Sequence, residues 1–253
     1  MKVPPVTELR RVCQPPDLDV CIFRRLLTRR VSIHFTRFFL LCGVSANAVS
    51  ALKGVVASVG SLLFITGEPL HWLAGAGLLQ LSFILDASDG EVARFTGTCS
   101  SAGGELIDKI GDAASRSLFY GAWGIGLYSR TGNAFYTAAG MVMAGLWPIV
   151  RFCLMETILE SMVNHRDTPP SPEEREAAGR LFARTPWEGG MEYFLSMVYH
   201  PWLNLALAAA LLSFLGNGPS GLFFLAYAFL WAANTVRKTA SALRTAGFRR
   251  PEP

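Results

Sequence analysis

The sequence predicts an all-α membrane protein, with six transmembrane helices preceded by an N-terminal interfacial amphipathic helix. Three observations predict it. Of the 253 residues, 51% are hydrophobic and only 17% are charged, below the quarter that is usual in soluble domains. Mean hydropathy is +0.33. Apolar stretches of about 20 residues, enough to cross roughly 30 Å of hydrocarbon, recur along the chain.

The first element is the amphipathic segment from Asp17 to Leu41. It interleaves Val20, Ile22, Phe23, Leu26, Leu27, Val31, Ile33, Phe35, Phe38 and Phe39 with Arg24, Arg25, Arg29, Arg30 and Arg37. A helix of that pattern lies in the interface, with its apolar face in lipid and its arginines toward phosphates. Six spans follow, at about 46–66, 71–91, 104–128, 134–157, 191–215 and 220–239 by the length rule. Between spans four and five, Ser161 to Gly190 carries Pro169, Pro170, Pro172 and Pro186 around a charged run and reads as a solvated connector. The domain division is therefore 1–43 for the N-terminus and interfacial helix, 44–242 for one six-helix membrane domain, and 243–253 for a basic tail.

Orientation follows from the basic residues. Lys2, Arg10, Arg11, Arg24, Arg25, Arg29, Arg30 and Arg37 precede the first span, Arg166, Arg175, Arg180 and Arg184 lie in the long connector, and Arg237, Lys238, Arg244, Arg249 and Arg250 close the chain. The opposite turns hold Arg130 alone. The positive-inside rule makes both termini and the connector cytoplasmic. The net charge of +4 then reads as topology and attraction to anionic lipid headgroups, and nucleic acid is not an expected partner. The first thirty residues lack the continuous apolar core of a cleavable signal peptide, so none is expected. Cys13, Cys21, Cys42, Cys99 and Cys153 are scattered and odd in number, without zinc-ligand or disulfide spacing.

Four aspartates stand out against this apolar background. Asp86 and Asp89 end the second span, and Asp108 and Asp112 begin the third. Carboxylates three and four residues apart share a helix face, so two such pairs on adjacent helices can build one acidic pocket on the cytoplasmic side. Such a group repels itself unless it shares cations. Oxygen-only ligands, with no cysteine or histidine alongside, favour Mg²⁺ or Mn²⁺ over zinc, and two such ions could bind a diphosphate. The alternative is four carboxylates solvated at the interface or paired with Arg94, Lys109 and Arg116.

From Asp86 the chain reads DASDGEVARFTGTCSSAGGELIDKIGD. This resembles the signature of the CDP-alcohol phosphotransferase family, integral membrane enzymes with six spans, through Asp86, Asp89, Gly90, Ala93, Arg94, Gly103, Asp108 and Asp112. The resemblance implies transfer of a substituted phosphate from a CDP-linked donor, CDP-diacylglycerol or another CDP-alcohol, to an alcohol hydroxyl with release of CMP. It implies two ions, Mg²⁺ or Mn²⁺, held by Asp86, Asp89, Asp108 and Asp112, with Asp112 also the catalytic base. Asp89, Gly90, Ala93, Arg94 and Gly103 would line the nucleotide site. Upstream, Val44 to Ser50 resembles in part the family segment that opens the first span, which adds Asn47 as a nucleotide contact; capping of the first span by Ser45 or Asn47 is the plain alternative. Lys53 is either a pocket residue or a snorkelling cation.

The acceptor is less specified. Arg116, Arg151, Arg237 and Lys238 would form a basic pocket for a phosphorylated alcohol if they converge. The ASDGEVAR form looks most like the inositol-phosphate-using prokaryotic branch, which places the chain in a prokaryotic inner or plasma membrane. Membrane lipids and a second copy of the chain, in a homodimer, are the further partners the resemblance implies. Gly121, Gly124, Gly126, Ala138, Ala139 and Gly140 predict close helix packing. A cation or small-solute transporter is the rival reading, but it predicts carboxylates near the bilayer centre, often with repeat symmetry.

Overall fold

The computed structural model describes residues 3–14, 28–98, 102–164 and 201–247, with the side chains of 102–106, 150–164, 201–204, 234 and 237–247 left out of the description. Among the described residues the structure is helical throughout: α1 (Val6–Cys13), α2 (Arg29–Leu41), α3 (Ala46–Leu62) with a 3₁₀ turn at Leu63–Thr66, α4 (Pro69–Thr96), α5 (Ala102–Thr131), α6 (Ala134–Asn164), α7 (Pro201–Ser213) and α8 (Asn217–Gly247). The predicted spans fall on α3 to α8. Several helices outlast their apolar stretch: α4 runs on through Asp86 to Thr96, and α8 enters the expected basic tail and reaches Gly247. Backbone hydrogen bonding continues past the point where apolar side chains stop, so hydropathy marks the greasy part of a helix and not its end.

Ser45 starts α3, its side chain accepting from the Ala48 amide at 3.3 Å, a plain N-cap. Pro69 sits in the first turn of α4, where its missing N–H costs nothing. Gly97 ends α4 in the left-handed conformation, φ 70°. Between α3 and α4 the turn is pinned by its own aromatic ring: the Trp72 indole donates to the Phe64 carbonyl at 2.8 Å, and the two rings stack at 5.4 Å. Phe64, Trp72, Phe119, Trp123 and Phe224 are fully buried and form the centre of the bundle.

Small residues set how closely these helices approach. A Cβ on Gly126 of α5 would lie 2.0 Å from the Phe64 carbonyl oxygen, and one on Gly124 would lie 2.5 Å from the Tyr136 carbonyl. The predicted glycine-rich packing of α5 is thus realised against the α3–α4 turn on one side and α6 on the other. Arg130, the lone lysine or arginine of its end among the described residues, has a structural task. It donates to the Gly67 carbonyl at 2.9 Å, the Ser213 carbonyl at 2.8 Å and Asn217 Oδ1 at 2.8 Å, tying three turns together.

Two segments, Ala46–Thr66 and Pro69–Thr96, are long and apolar enough to cross a membrane among the described residues, and Ala134–Ile149 is a shorter apolar stretch. The outward faces of other helices are also apolar: Phe135, Val142 and Ile149 on α6 and Leu222, Phe229 and Leu230 on α8 are exposed. Outer faces of a bundle in water are normally polar.

The N-terminal region differs in part from expectation. Of the 17–41 segment, 29–41 is helical and 15–27 lies outside the described residues. The α2 helix is two-sided: Val31, Phe38 and Leu41 face outward, while Ser32, Ile33, Thr36, Phe39 and Leu40 are buried. An additional short helix, α1, buries Leu9 and Cys13 completely. Eight residues give too little periodicity to be read from sequence. Most of the 161–190 connector, and the start of the fifth span at 191–200, lie outside the described residues.

Replacing Gly126 with alanine should lower stability by about 1–3 kcal/mol or more through overpacking. At Gly77, where an added Cβ meets nothing within 4 Å, the same change should leave stability level or improve it. Thermal unfolding of the two variants in one detergent compares them directly, and equal midpoints would contradict the packing account.

Candidate functional site

The carboxylates occupy the end of the bundle where α3 begins, α4 finishes and α5 begins. Asp86 and Asp89 are one turn apart on α4, and Asp108 and Asp112 are one turn apart on α5, so each pair shares a face. Oxygen atoms of Asp86, Asp89 and Asp108 lie within 4.8 Å of one another, a spacing that could hold a metal ion. The donor set is all oxygen, which fits a hard cation. Asp112 continues the row one turn further along α5.

The third helix supplies the contacts that hold this set. α3 runs antiparallel to α4, so its Ser50 and Lys53, one turn apart, meet Asp89 and Asp86 in reverse order. Ser50 Oγ donates to Asp89 Oδ2 at 2.7 Å. The Lys53 ammonium lies 3.0 Å from Asp86 Oδ1, contacts Asp108 Oδ1, and stands 3.5 Å from Asp112 Oδ1. Only 4% of Lys53 is exposed, so it is a pocket residue and not a snorkelling one. Its reach depends on the neighbouring glycines, because a Cβ added to Gly54 on α3 would lie 3.4 Å from the Cα of Gly111 on α5.

Beside the aspartates lies a small cavity of about 40 Å³, lined by Lys53, Ser82, Asp86, Asp112, Ser115 and Arg116 among others. Arg116 Nη2 is 3.4 Å from Asp112 Oδ2, and its guanidinium stacks 5.1 Å above the Trp147 ring. Of the four expected acceptor residues, Arg116 alone can be placed by its side chain. Arg151 lies on α6, and Arg237 and Lys238 lie on α8, but their side chains are outside the description.

The remaining expected residues are distributed as follows. Asn47 is exposed in the first turn of α3, and Ala93 is half-buried on α4. A Cβ on Gly90 would lie 3.3 Å from Arg94 Nη1. Arg94 itself donates from Nε to the Cys13 carbonyl at 2.7 Å, a favourable place for a cation at the C-terminus of α1. Gly103 requires a correction of register. It stands five residues before Asp108, whereas Gly104 stands four before it, so Gly104 begins the row that continues through Asp108 and Asp112.

One functional neighbour escaped the sequence reading. Glu91 is only 1% exposed and lies about 200° round the helix from Asp89 by the 3.6-residue repeat, on the opposite face. Its Oε1 accepts from Gln14 Nε2 at 2.7 Å and Ser32 Oγ at 2.6 Å, and Oε2 accepts from Thr36 Oγ1 at 2.6 Å. The N-terminal helices are thereby fixed to the back of α4, directly behind Asp89 and Gly90. Burial, with Glu91 nearby, pushes the Cys13 thiol up to about 11, so this cysteine is protonated and unreactive at neutral pH. A charged residue inside an otherwise apolar helix was the available signal for Glu91, and the adjacent aspartates masked it.

Fold and site together define a helical protein with an oxygen-only acidic centre where three packed helices meet. The chain matches the CDP-alcohol phosphatidyltransferase family over residues 43–233, 191 of its 253 residues, and belongs to that family. No curated protein matches it closely enough to stand as a named relative. The family is one of transferases that pass a phosphate-linked group from a CDP-alcohol to another alcohol.

Replacing Glu91 with alanine leaves the Ser32, Thr36 and Gln14 donors without their buried acceptor, which should cost about 1–3 kcal/mol. Limited trypsin digestion should then cut faster at Arg29 and Arg30. An unchanged cleavage rate would show that the carboxylate does not hold the N-terminal helices.

Proposed function

We propose that the chain is a metal-dependent, multi-pass membrane enzyme that transfers a substituted phosphate from a CDP-linked donor to the hydroxyl of an alcohol and releases CMP. The observation that carries this reading is the convergence of Asp86, Asp89 and Asp108 within 4.8 Å in a chain of the CDP-alcohol phosphatidyltransferase family. Asp86, Asp89, Asp108 and Asp112 would hold two ions, Mg²⁺ or Mn²⁺. Those ions, when bound, neutralise the diphosphate and stabilise the departing phosphate.

The chain's own residues do the rest. Lys53 and Ser50 hold the carboxylates of α4 and α5 toward one another, which places the donor before reaction. Gly90 and Gly104 leave the backbone bare where the nucleotide lies. The acceptor oxygen attacks the donor phosphorus that carries the alcohol or lipid group, the bond from that phosphorus to the CMP phosphate oxygen breaks, and CMP leaves with the electron pair. Asp112, which lines the cavity beside the aspartates, takes the hydroxyl proton.

Two cationic side chains stand in the lining of that cavity beside Asp86 and Asp112, and with those aspartates taken up by the ions they support an anionic acceptor such as inositol phosphate or glycerol phosphate. Lys53 and Arg116 line it, and a guanidinium suits a phosphate. The outward apolar faces of α6 and α8 support six spans in a lipid bilayer, the basic termini support a cytoplasmic active site, and the ASDGEVAR form supports a prokaryotic inner or plasma membrane. CDP-diacylglycerol or another CDP-alcohol would be the donor, in phospholipid or inositol-phosphate-type phosphodiester synthesis, and the family resemblance supports a homodimer.

Purified protein given Mg²⁺ or Mn²⁺, CDP-diacylglycerol and a panel of alcohols should release CMP. Asp112→Asn should remove at least 99% of that release, about 2.7 kcal/mol or more of barrier, while CMP binding persists. Failure of every donor and acceptor pair, with ion flux in liposomes, would replace the enzyme reading with a transporter. Arg116→Gln should raise the acceptor KM by about tenfold, the equivalent of one charge-assisted hydrogen bond, and leave the donor KM within twofold. Equal rises in both would place Arg116 outside the acceptor site.

A further inference from the structure

We propose that Lys53 is a resident cation that competes with the divalent ions for the aspartates, so that the ions load fully only when a donor diphosphate gives its ammonium a second anionic partner. The inference rests on the metal-centre reading above. Its own observation is geometric: one buried ammonium touches carboxylates of both α4 and α5, at Asp86, Asp108 and Asp112.

The oxygens it meets are those that an ion would need. Asp86 and Asp108 belong to the set whose oxygens lie within 4.8 Å of one another, and Lys53 contacts an Oδ1 atom of each. An ion entering there meets a like charge at contact distance, and that charge weakens its binding. The lysine cannot easily withdraw, because its helix is held by Ser50 on Asp89 and by the contact of Gly54 with Gly111. Only the flexible four-carbon stem can swing.

Charge balance gives the arrangement its use. Four carboxylates and two divalent ions sum to zero, and Lys53 together with Arg116, 3.4 Å from Asp112, brings the loaded site to +2. A diphosphate relieves that excess and accepts the displaced ammonium. Ion and nucleotide should therefore bind with positive coupling, and by linkage each should strengthen the other equally. A site without the lysine would take up ions alone and lose that coupling.

The test measures Mn²⁺ affinity of the full-length protein in detergent, by electron paramagnetic resonance, with and without CDP. In the natural protein CDP should tighten Mn²⁺ binding. Lys53→Met should bind Mn²⁺ alone at least about tenfold more tightly, since an opposing unit charge near 4 Å has been removed, and CDP should then add little. With chelator present, Lys53→Met should also melt lower than the natural protein and rise further on adding Mn²⁺. Lys53→Arg, which keeps the charge, should bind Mn²⁺ alone no tighter than the natural protein, and it serves as the readout if the methionine variant does not fold. Unchanged or weaker Mn²⁺ affinity in Lys53→Met, or Mn²⁺ affinity raised as much in Lys53→Arg, overturns the proposal while leaving the metal centre standing. Absence of Mn²⁺ binding in every variant overturns both.

Discussion

Four carboxylates at one point of a helical bundle repel one another unless a cation stands among them, and here an ammonium does. Lys53 binds α3 to both α4 and α5 through Asp86, Asp108 and Asp112. The packing of these three helices is set so that this contact can form. Small residues bring the backbones together, Gly54 against Gly111 near the charges and Gly126 against the Phe64 carbonyl at the far end. A bundle spaced by large side chains would keep the same aspartates too far apart to share anything.

Around that core the chain separates stability from chemistry by location. Aromatic rings fill the interior away from the aspartates, where Trp72 pins the α3–α4 turn and Trp123 packs on Phe224 at 4.7 Å. Arg130 ties the turns at the end remote from the aspartates. The back of α4 is tied to the N-terminal helices through the buried Glu91. With its rear face and remote end fixed by contacts that never touch the site, α4 can present Asp86 and Asp89 in one geometry. That is the preorganisation on which phosphoryl-type transfer depends, because positioning and charge do most of the work.

Two arginines illustrate how differently one residue type can be used. Arg94 lies inside the motif, yet its Nε caps α1 at the Cys13 carbonyl. Arg116 lies outside the motif and faces Asp112 across the cavity. Spacing alone assigns both to the same acidic neighbourhood. Direction along the helix, which side of α4 or α5 the stem leaves from, separates a structural cap from a cavity wall.

The helical class, the positions of the long helices and the convergence of the two aspartate pairs were legible in the sequence, because apolar length and the three-and-four spacing are local properties of the chain. Membership of the CDP-alcohol phosphatidyltransferase family was legible for the same reason, since Asp86 to Asp112 is one contiguous stretch. The partners of those residues were not legible. Lys53 is 33 residues from Asp86 and 55 from Asp108, and Glu91 is 77 from Gln14; only the antiparallel packing of α3 on α4, and the folding of α1 and α2 behind it, brings them together. A lysine in an apolar helix can snorkel or turn inward, and a glutamate among aspartates can face either way. Sequence supplies the charges, but the tertiary structure decides which of them meet, because the energy of a buried charge is fixed by neighbours that arrive from elsewhere in the chain.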